Sequence, residues 1–232
     1  MKLVFVHGSG GTGRVWKRQT EHFAGSVAVT LPGHPDGTPC NSIQEAAGWL
    51  HSELASDAGS KPLVVVGHSL GGAIALQYAL DHGDELAGIV LVGSGARLRV
   101  HPATLKVLEQ AIDQPRSFSA FVAESFEKVP GEFATELLEL SVALGPAPFL
   151  NDLRACDRFD VIERLGEIDV PALAIVGSED VMTPPKYSAF LEDRMPNAAV
   201  RVIEGGTHFV FAEHPDPVNE AIAGFVDSLA EA

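Results

Sequence analysis

The stretch from Pro62 to Ala73, PLVVVGHSLGGA, limits what this chain can fold into more than any other part of it. A continuous apolar run over 62–66 leads into Gly67-x-Ser69-x-Gly71, and a helical pattern follows over 73–80. A short run that is apolar without alternation reads as a strand buried on both faces of a parallel sheet. A serine between such a strand and a helix occupies a sharp turn whose strained backbone pushes Oγ out above the sheet edge. The turn closes only if the residues two before and two after lack side chains, which accounts for Gly67 and Gly71. The start of the helix also favours developing negative charge.

Similar β-rich runs occupy 3–6, 27–31, 88–92, 172–176 and 199–203, and helical patterns alternate with them. Ser42-Ile43-Gln44-Glu45 is a capping box ahead of an apolar face made by Ile43, Ala46, Ala47, Leu50 and Leu54. Asp216-Pro217 reads as N-cap and first helical residue, followed by a stripe of Val218, Ile222, Phe225, Val226 and Leu229. This alternation predicts an open, mostly parallel α/β sheet with flanking helices. Between Arg97 and Asp157 no strand pattern appears. Helices are expected there over 103–112, 117–126 and 132–144, separated by Pro130-Gly131 and by Gly145-Pro146-Ala147-Pro148. The expected organisation is a core of 1–96 and 158–232, with 97–157 as a helical cap beyond the carboxyl ends of the strands.

Composition narrows the partners. With 16 Lys and Arg against 31 Asp and Glu, the net charge is −15. Such a surface repels phosphate backbones and anionic lipid heads, so nucleic acid and membrane are not expected partners. Cys40 and Cys156 belong to no CxxC pair or Cys/His cluster, so no metal is expected, and two free thiols suit a reducing compartment. The apolar run at the N-terminus is too short for a signal peptide, and no stretch reaches the ~20 residues of a membrane helix. The expected location is the cytoplasm. Monomer and homodimer both remain open.

A serine hydroxyl needs a base to take its proton and an acid to fix that base. Among nine histidines, His208 follows the last strand in EGGTHF, at the sheet edge where Ser69 would stand. His214 belongs to the entry of the last helix, and His68 is locked beside the serine. His7, His34, His51, His82 and His101 read as loop or surface residues. The strand over 172–176 runs into Gly177-Ser178-Glu179-Asp180. Asp180 is the expected acid, with Glu179 as its surface neighbour and runner-up. The three candidates stand in the chain order Ser, Asp, His. The glycine-rich loop His7–Gly13 suits backbone donors aimed at an oxyanion. The backbone N–H groups of Leu70 and Ser9 are the expected pair, with Gly10 an alternative to Ser9. The loop lacks the Lys-Ser/Thr ending of a phosphate-binding loop and the dinucleotide glycine pattern, which argues against nucleotides.

Taken together, the HG-rich loop, Gly67-His68-Ser69-Leu70-Gly71-Gly72, Gly-Ser-Glu-Asp…Thr-Pro-Pro and Gly-Gly-Thr-His resemble the α/β-hydrolase fold family. The likeness is to its small lid-bearing bacterial esterases, enol-lactonases and haloperoxidase-like hydrolases, and runs from residue 2 to about 229. Cys156-Asp157-Arg158-Phe159-Asp160, leading to Val170-Pro171, resembles the return from the lid in those proteins. Members usually carry a hairpin before the first strand seen here. Its lack implies a sheet of about six strands, with one short edge open to pairing. The resemblance implies a serine hydrolase acting on a small carboxylic ester through an acyl-enzyme, with no cofactor. Lactone opening, C–C hydrolysis, perhydrolysis or a non-catalytic small-molecule receptor are the other activities the same residues serve. Trp16, Phe118, Phe121, Met182 and Phe209 are the expected apolar lining of the substrate pocket. Such a lining favours a small, uncharged acyl group.

Overall fold

The computed structural model describes residues 1–55 and 62–231, with the backbone alone for Pro115 and Arg116. The expected strands form one sheet, all parallel: β1 (Lys2–Val6), β2 (Val27–Val29), β3 (Leu63–His68), β4 (Leu86–Val92), β5 (Ala172–Gly177) and β6 (Ala198–Ile203). Their order is β2-β1-β3-β4-β5-β6. The helices are α1 (Lys17–His22), α2 (Ile43–Ala55), α3 (Leu70–His82), α4 (Pro102–Ala111), α5 (Pro115–Glu124), α6 (Glu132–Leu144), α7 (Pro146–Arg158), α8 (Pro185–Arg194), α9 (Val210–Glu213) and α10 (Pro215–Glu231).

Continuous apolarity in the strands reflects two cores rather than one. Val4 and Val6 of β1 point to the side covered by α2, α3 and α8, where they meet Ile43, Leu50, Ile74 and Leu191. Leu3 and Phe5 point to the other side and pack with Trp16, Phe211, Val218 and Ile222. Period-two side chains on a strand coated from both sides leave no position for a polar residue. The central strand β3 is buried along its whole length. At the sheet edge beyond β1, β2 is only three residues long with Val27 exposed, so this edge offers little backbone to pair with.

The capping box holds in altered form. Glu45 N–H donates to Ser42 Oγ at 3.1 Å, while the Glu45 carboxylate reaches back to the amide of Asn41 at 2.7 Å. The last helix begins at Pro215, earlier than the Asp216-Pro217 signal suggested, because His214 ends α9 outside the helical region (φ −128°, ψ 62°) and Pro215 can then open a new helix.

Between β4 and β5 the chain makes an excursion of four helices, α4 to α7. An antiparallel bridge between Arg97 and Asp160 closes its base. Sequence reading missed α7, since Gly145-Pro146-Ala147-Pro148 looked like a spacer. In the fold Gly145 is the N-cap (φ +84°) and Pro146 opens the helix, where a missing N–H costs nothing. The excursion has a core of its own: Leu108, Ala111, Phe118, Val122, Leu150 and Leu153. Phe133 and Leu137 of α6 instead join the core beneath Trp16 and Phe211. Because every strand is parallel, the loops after β1, β3, β5 and β6 all emerge at the rim from which this excursion departs.

Candidate active site

Ser69 stands between β3 and α3 at φ 50°, ψ −112°. It is the one non-glycine with positive φ among the described residues. Such strain persists only where the surroundings over-determine it. Here the Ser69 amide donates to Val92 O (2.9 Å), and Ser94 Oγ donates to Ser69 O (2.7 Å). The flanking glycines are required by space. A Cβ on Gly67 would lie 2.1 Å from Gly71 O, and one on Gly71 would lie 2.3 Å from Val6 O.

His208 comes from the loop after β6, and its Nδ1–H donates to Asp180 Oδ2 at 2.9 Å. Asp180 is buried in the loop after β5. Its Oδ1 accepts the amides of Met182 and Thr183, each at 2.8 Å, and its Oδ2 accepts Thr183 Oγ1–H at 2.8 Å. Burial works to raise the Asp180 pKa, but the His208 contact and the Thr183 donors outweigh it and hold the carboxyl below its usual value. Glu179 turns outward and pairs with the exposed Lys128. His68, buried and held neutral mainly by desolvation, donates from Nε2 to His208 O at 3.0 Å and so fixes the backbone of that loop.

Ser69, His208, Thr183, Met182 and Cys156 share the wall of one cavity of about 60 Å³. Oγ of Ser69 and Nε2 of His208 have no hydrogen-bond partner among the described residues, each other included. A second cavity, of about 30 Å³, lies against the loop Gly8–Gly11 and is walled by His68, Phe126, Phe149 and Phe209. The Gly10 amide donates to Asp152 Oδ2 (2.9 Å), whereas among the described residues no group accepts from Ser9 N–H or Leu70 N–H. Of the two expected positions in this loop, Ser9 therefore keeps a free donor and Gly10 does not.

The expected lining residues divide. Met182 borders the larger cavity and Phe209 the smaller. Phe118 and Phe121 sit behind Phe149, with ring centroids 6.3 and 6.1 Å from it. Trp16 lies elsewhere: it is fully buried in the sheet core, 4.3 Å from Phe211 and 5.1 Å from Phe5. Aromatic type alone could not separate a wall from a core position.

His7 and His34 are also corrected. Both stand in loops, as expected, but they are buried rather than at the surface. Burial pushes the His7 pKa down to about 3. Both cysteines are free, and burial pushes the Cys156 thiol up to about 12, so it stays protonated. Among the described residues no cluster of His, Cys, Asp and Glu could hold a metal ion, and no single helix is long and apolar enough to cross a membrane.

Comparison with known proteins adds to this geometry. A model of the alpha/beta hydrolase family matches residues 3–221. A pimeloyl-[acyl-carrier protein] methyl ester esterase of Proteus mirabilis is 27% identical, over 98% of this chain and 93% of its own length. The solved structure of a thermophilic esterase is 34% identical and superposes with a TM-score of 0.85, covering 98% of this chain and 90% of that one. Est816, described as an N-acyl homoserine lactone degrading enzyme, is 27% identical with a TM-score of 0.78, covering 97% and 93%.

Proposed function

The chain belongs to the alpha/beta hydrolase family, and from that premise we propose that it hydrolyses carboxylic esters of short acids through an acyl-enzyme on Ser69. One observation carries the reading: a strained serine shares a cavity with a histidine whose far nitrogen is held by a buried carboxylate. Oγ of Ser69 attacks the ester carbonyl while His208 Nε2 takes the hydroxyl proton. Asp180 keeps the ring in the tautomer with Nδ1–H and stabilises the imidazolium. The amides of Ser9 and Leu70 donate to the oxyanion, a contribution of roughly 3 kcal/mol per donor. Collapse of the intermediate expels the alcohol, which leaves with the proton from His208. Water, giving its proton to His208, then attacks the acyl group, and collapse releases the acid as His208 returns that proton to Ser69 Oγ.

Two features support a short acyl chain. The cavity against the oxyanion loop is small, about 30 Å³. Its walls include Phe126, Phe149 and Phe209, which disfavour a charged group there. Helices α4–α7 act in this reading as the cap that closes over both cavities and excludes water. Lactones are internal esters, and the likeness to Est816 makes them the second substrate class to try.

The test is a panel of p-nitrophenyl esters with a short lactone included. Acetate or butyrate is expected to turn over fastest, with activity lost in Ser69→Ala. A folded protein that binds such compounds without turnover would instead be a receptor.

A further inference from the structure

Asp152 of α7 is buried and has no part in the steps above. Its Oδ2 accepts two hydrogen bonds across the boundary between α7 and the sheet rim: from Gly10 N–H at 2.9 Å and from His34 Nε2–H at 2.9 Å. His34 Nδ1 faces a second acceptor, Pro32 O, at 3.3 Å. With an acceptor on each side, only the imidazolium satisfies both ring nitrogens. Its neighbour His7, 4.9 Å away between ring centroids, differs in this respect. His7 Nδ1–H donates to Gly8 O and its Nε2 accepts from the Leu31 amide, which requires the neutral ring. Cys40 and Cys156 also lie near Asp152, with Glu45 beside Cys40 and Asp157 beside Cys156. Burial works to lower the His34 pKa, but the hydrogen bond and charge of Asp152 raise it overall.

We propose that Asp152 and His34 form a positioning pair that grips the oxyanion loop by its Gly10 amide and turns the neighbouring Ser9 amide toward the substrate. The role rests on the ester-hydrolysis reading above. Gly10 is fixed from a second direction as well. It adopts φ +66°, and a Cβ there would lie 2.6 Å from the ring of Phe149, also on α7. Helix α7 thus reaches the catalytic rim through Asp152 and Phe149 at Gly10 and through Cys156, whose Sγ lies 3.7 Å from Ser9 Oγ. Asp152 and His34 touch no reacting atom. Their effect comes through the direction of a single N–H, where a misplacement of about 1 Å can cost about 100-fold in rate.

The experiment compares Asp152→Ala and Asp152→Asn with the parent enzyme in steady-state ester hydrolysis, alongside NMR of the parent. Asp152→Ala is expected to lower kcat roughly 10- to 100-fold with KM within about threefold. Asp152→Asn keeps one acceptor and is expected to recover part of the loss. In the parent, the His34 ring is expected to titrate above the usual histidine range, and the Gly10 amide to resist hydrogen exchange. Folded variants with kcat within about twofold of the parent would overturn the positioning role, leaving a change in melting temperature as the mark of a purely structural pair. Rapid exchange of Gly10 in the parent would overturn it independently, should Asp152→Ala fail to fold. Parent enzyme without any esterase turnover would overturn the ester-hydrolysis reading, and the catalytic role of the pair with it.

Discussion

Two histidine–aspartate pairs lie at the same rim of the sheet, each with a ring nitrogen 2.9 Å from a carboxylate oxygen. They differ in the other nitrogen. His208 Nε2 opens on the cavity that it shares with Ser69. His34 Nδ1 meets the carbonyl of Pro32. A ring with one open nitrogen can take up and return a proton within a catalytic cycle. A ring between two acceptors is favoured as the cation, with no nitrogen left open to exchange a proton with a substrate. In the proposed mechanism the same two residue types serve as proton carrier or as clamp according to a single further contact, so burial and pairing alone do not identify a catalytic histidine.

Substitutions that break one pair and spare the other sharpen this contrast. The largest effect is expected for the residue the first pair serves. Ser69→Ala should lower kcat by about 10⁶, as measured by steady-state hydrolysis of a short p-nitrophenyl ester. Asp180→Asn should lower kcat by about 10⁴, because the amide favours the wrong imidazole tautomer. Near-normal activity would move the acid to Glu179, although that residue faces Lys128 at the surface. Thr183→Val removes one donor from Asp180 Oδ2 and should cost about 1 kcal/mol of stability, read from denaturant melts, with a modest loss of rate.

The pH dependence separates the pairs by sign. His34 has a raised folded-state pKa, so its contribution to stability is fully present below the unfolded value of about 6.5 and is lost as pH rises through the folded value. Asp180 has a lowered pKa, so its contribution is present above the unfolded value of about 3.9 and is lost as pH falls through the folded one. Thermal melts across pH should therefore show an alkaline loss that Asp152→Asn diminishes and an acid loss that it leaves in place.

The sheet and the first pair were legible in the sequence because their signals are local. Each strand is a short apolar run, and Ser69, Asp180 and His208 each follow one directly. The parallel arrangement then brings the loops together without any long-range information being needed. The second pair was not legible. His34 and Asp152 are separated by more than half the sequence, neither belongs to a periodic pattern, and His34 does stand in a loop, among Pro32, Gly33 and Pro35, where nothing local shows that its ring is buried. Helix α7, which carries Asp152, was hidden by prolines that mark a helix start as readily as a turn. Trp16 shows the converse limit: a large aromatic beside a glycine loop suits a pocket wall and a core equally, and only its contacts with Phe5 and Phe211 decide.

Covalent trapping bears most directly on the central claim. Incubation with a fluorophosphonate, followed by peptide mass spectrometry, should find one adduct, on Ser69, with labelling slowed strongly in Asp180→Asn. An adduct on any other residue, or no adduct on the folded protein, would contradict the assignment of Ser69 as a nucleophile driven by His208 and Asp180.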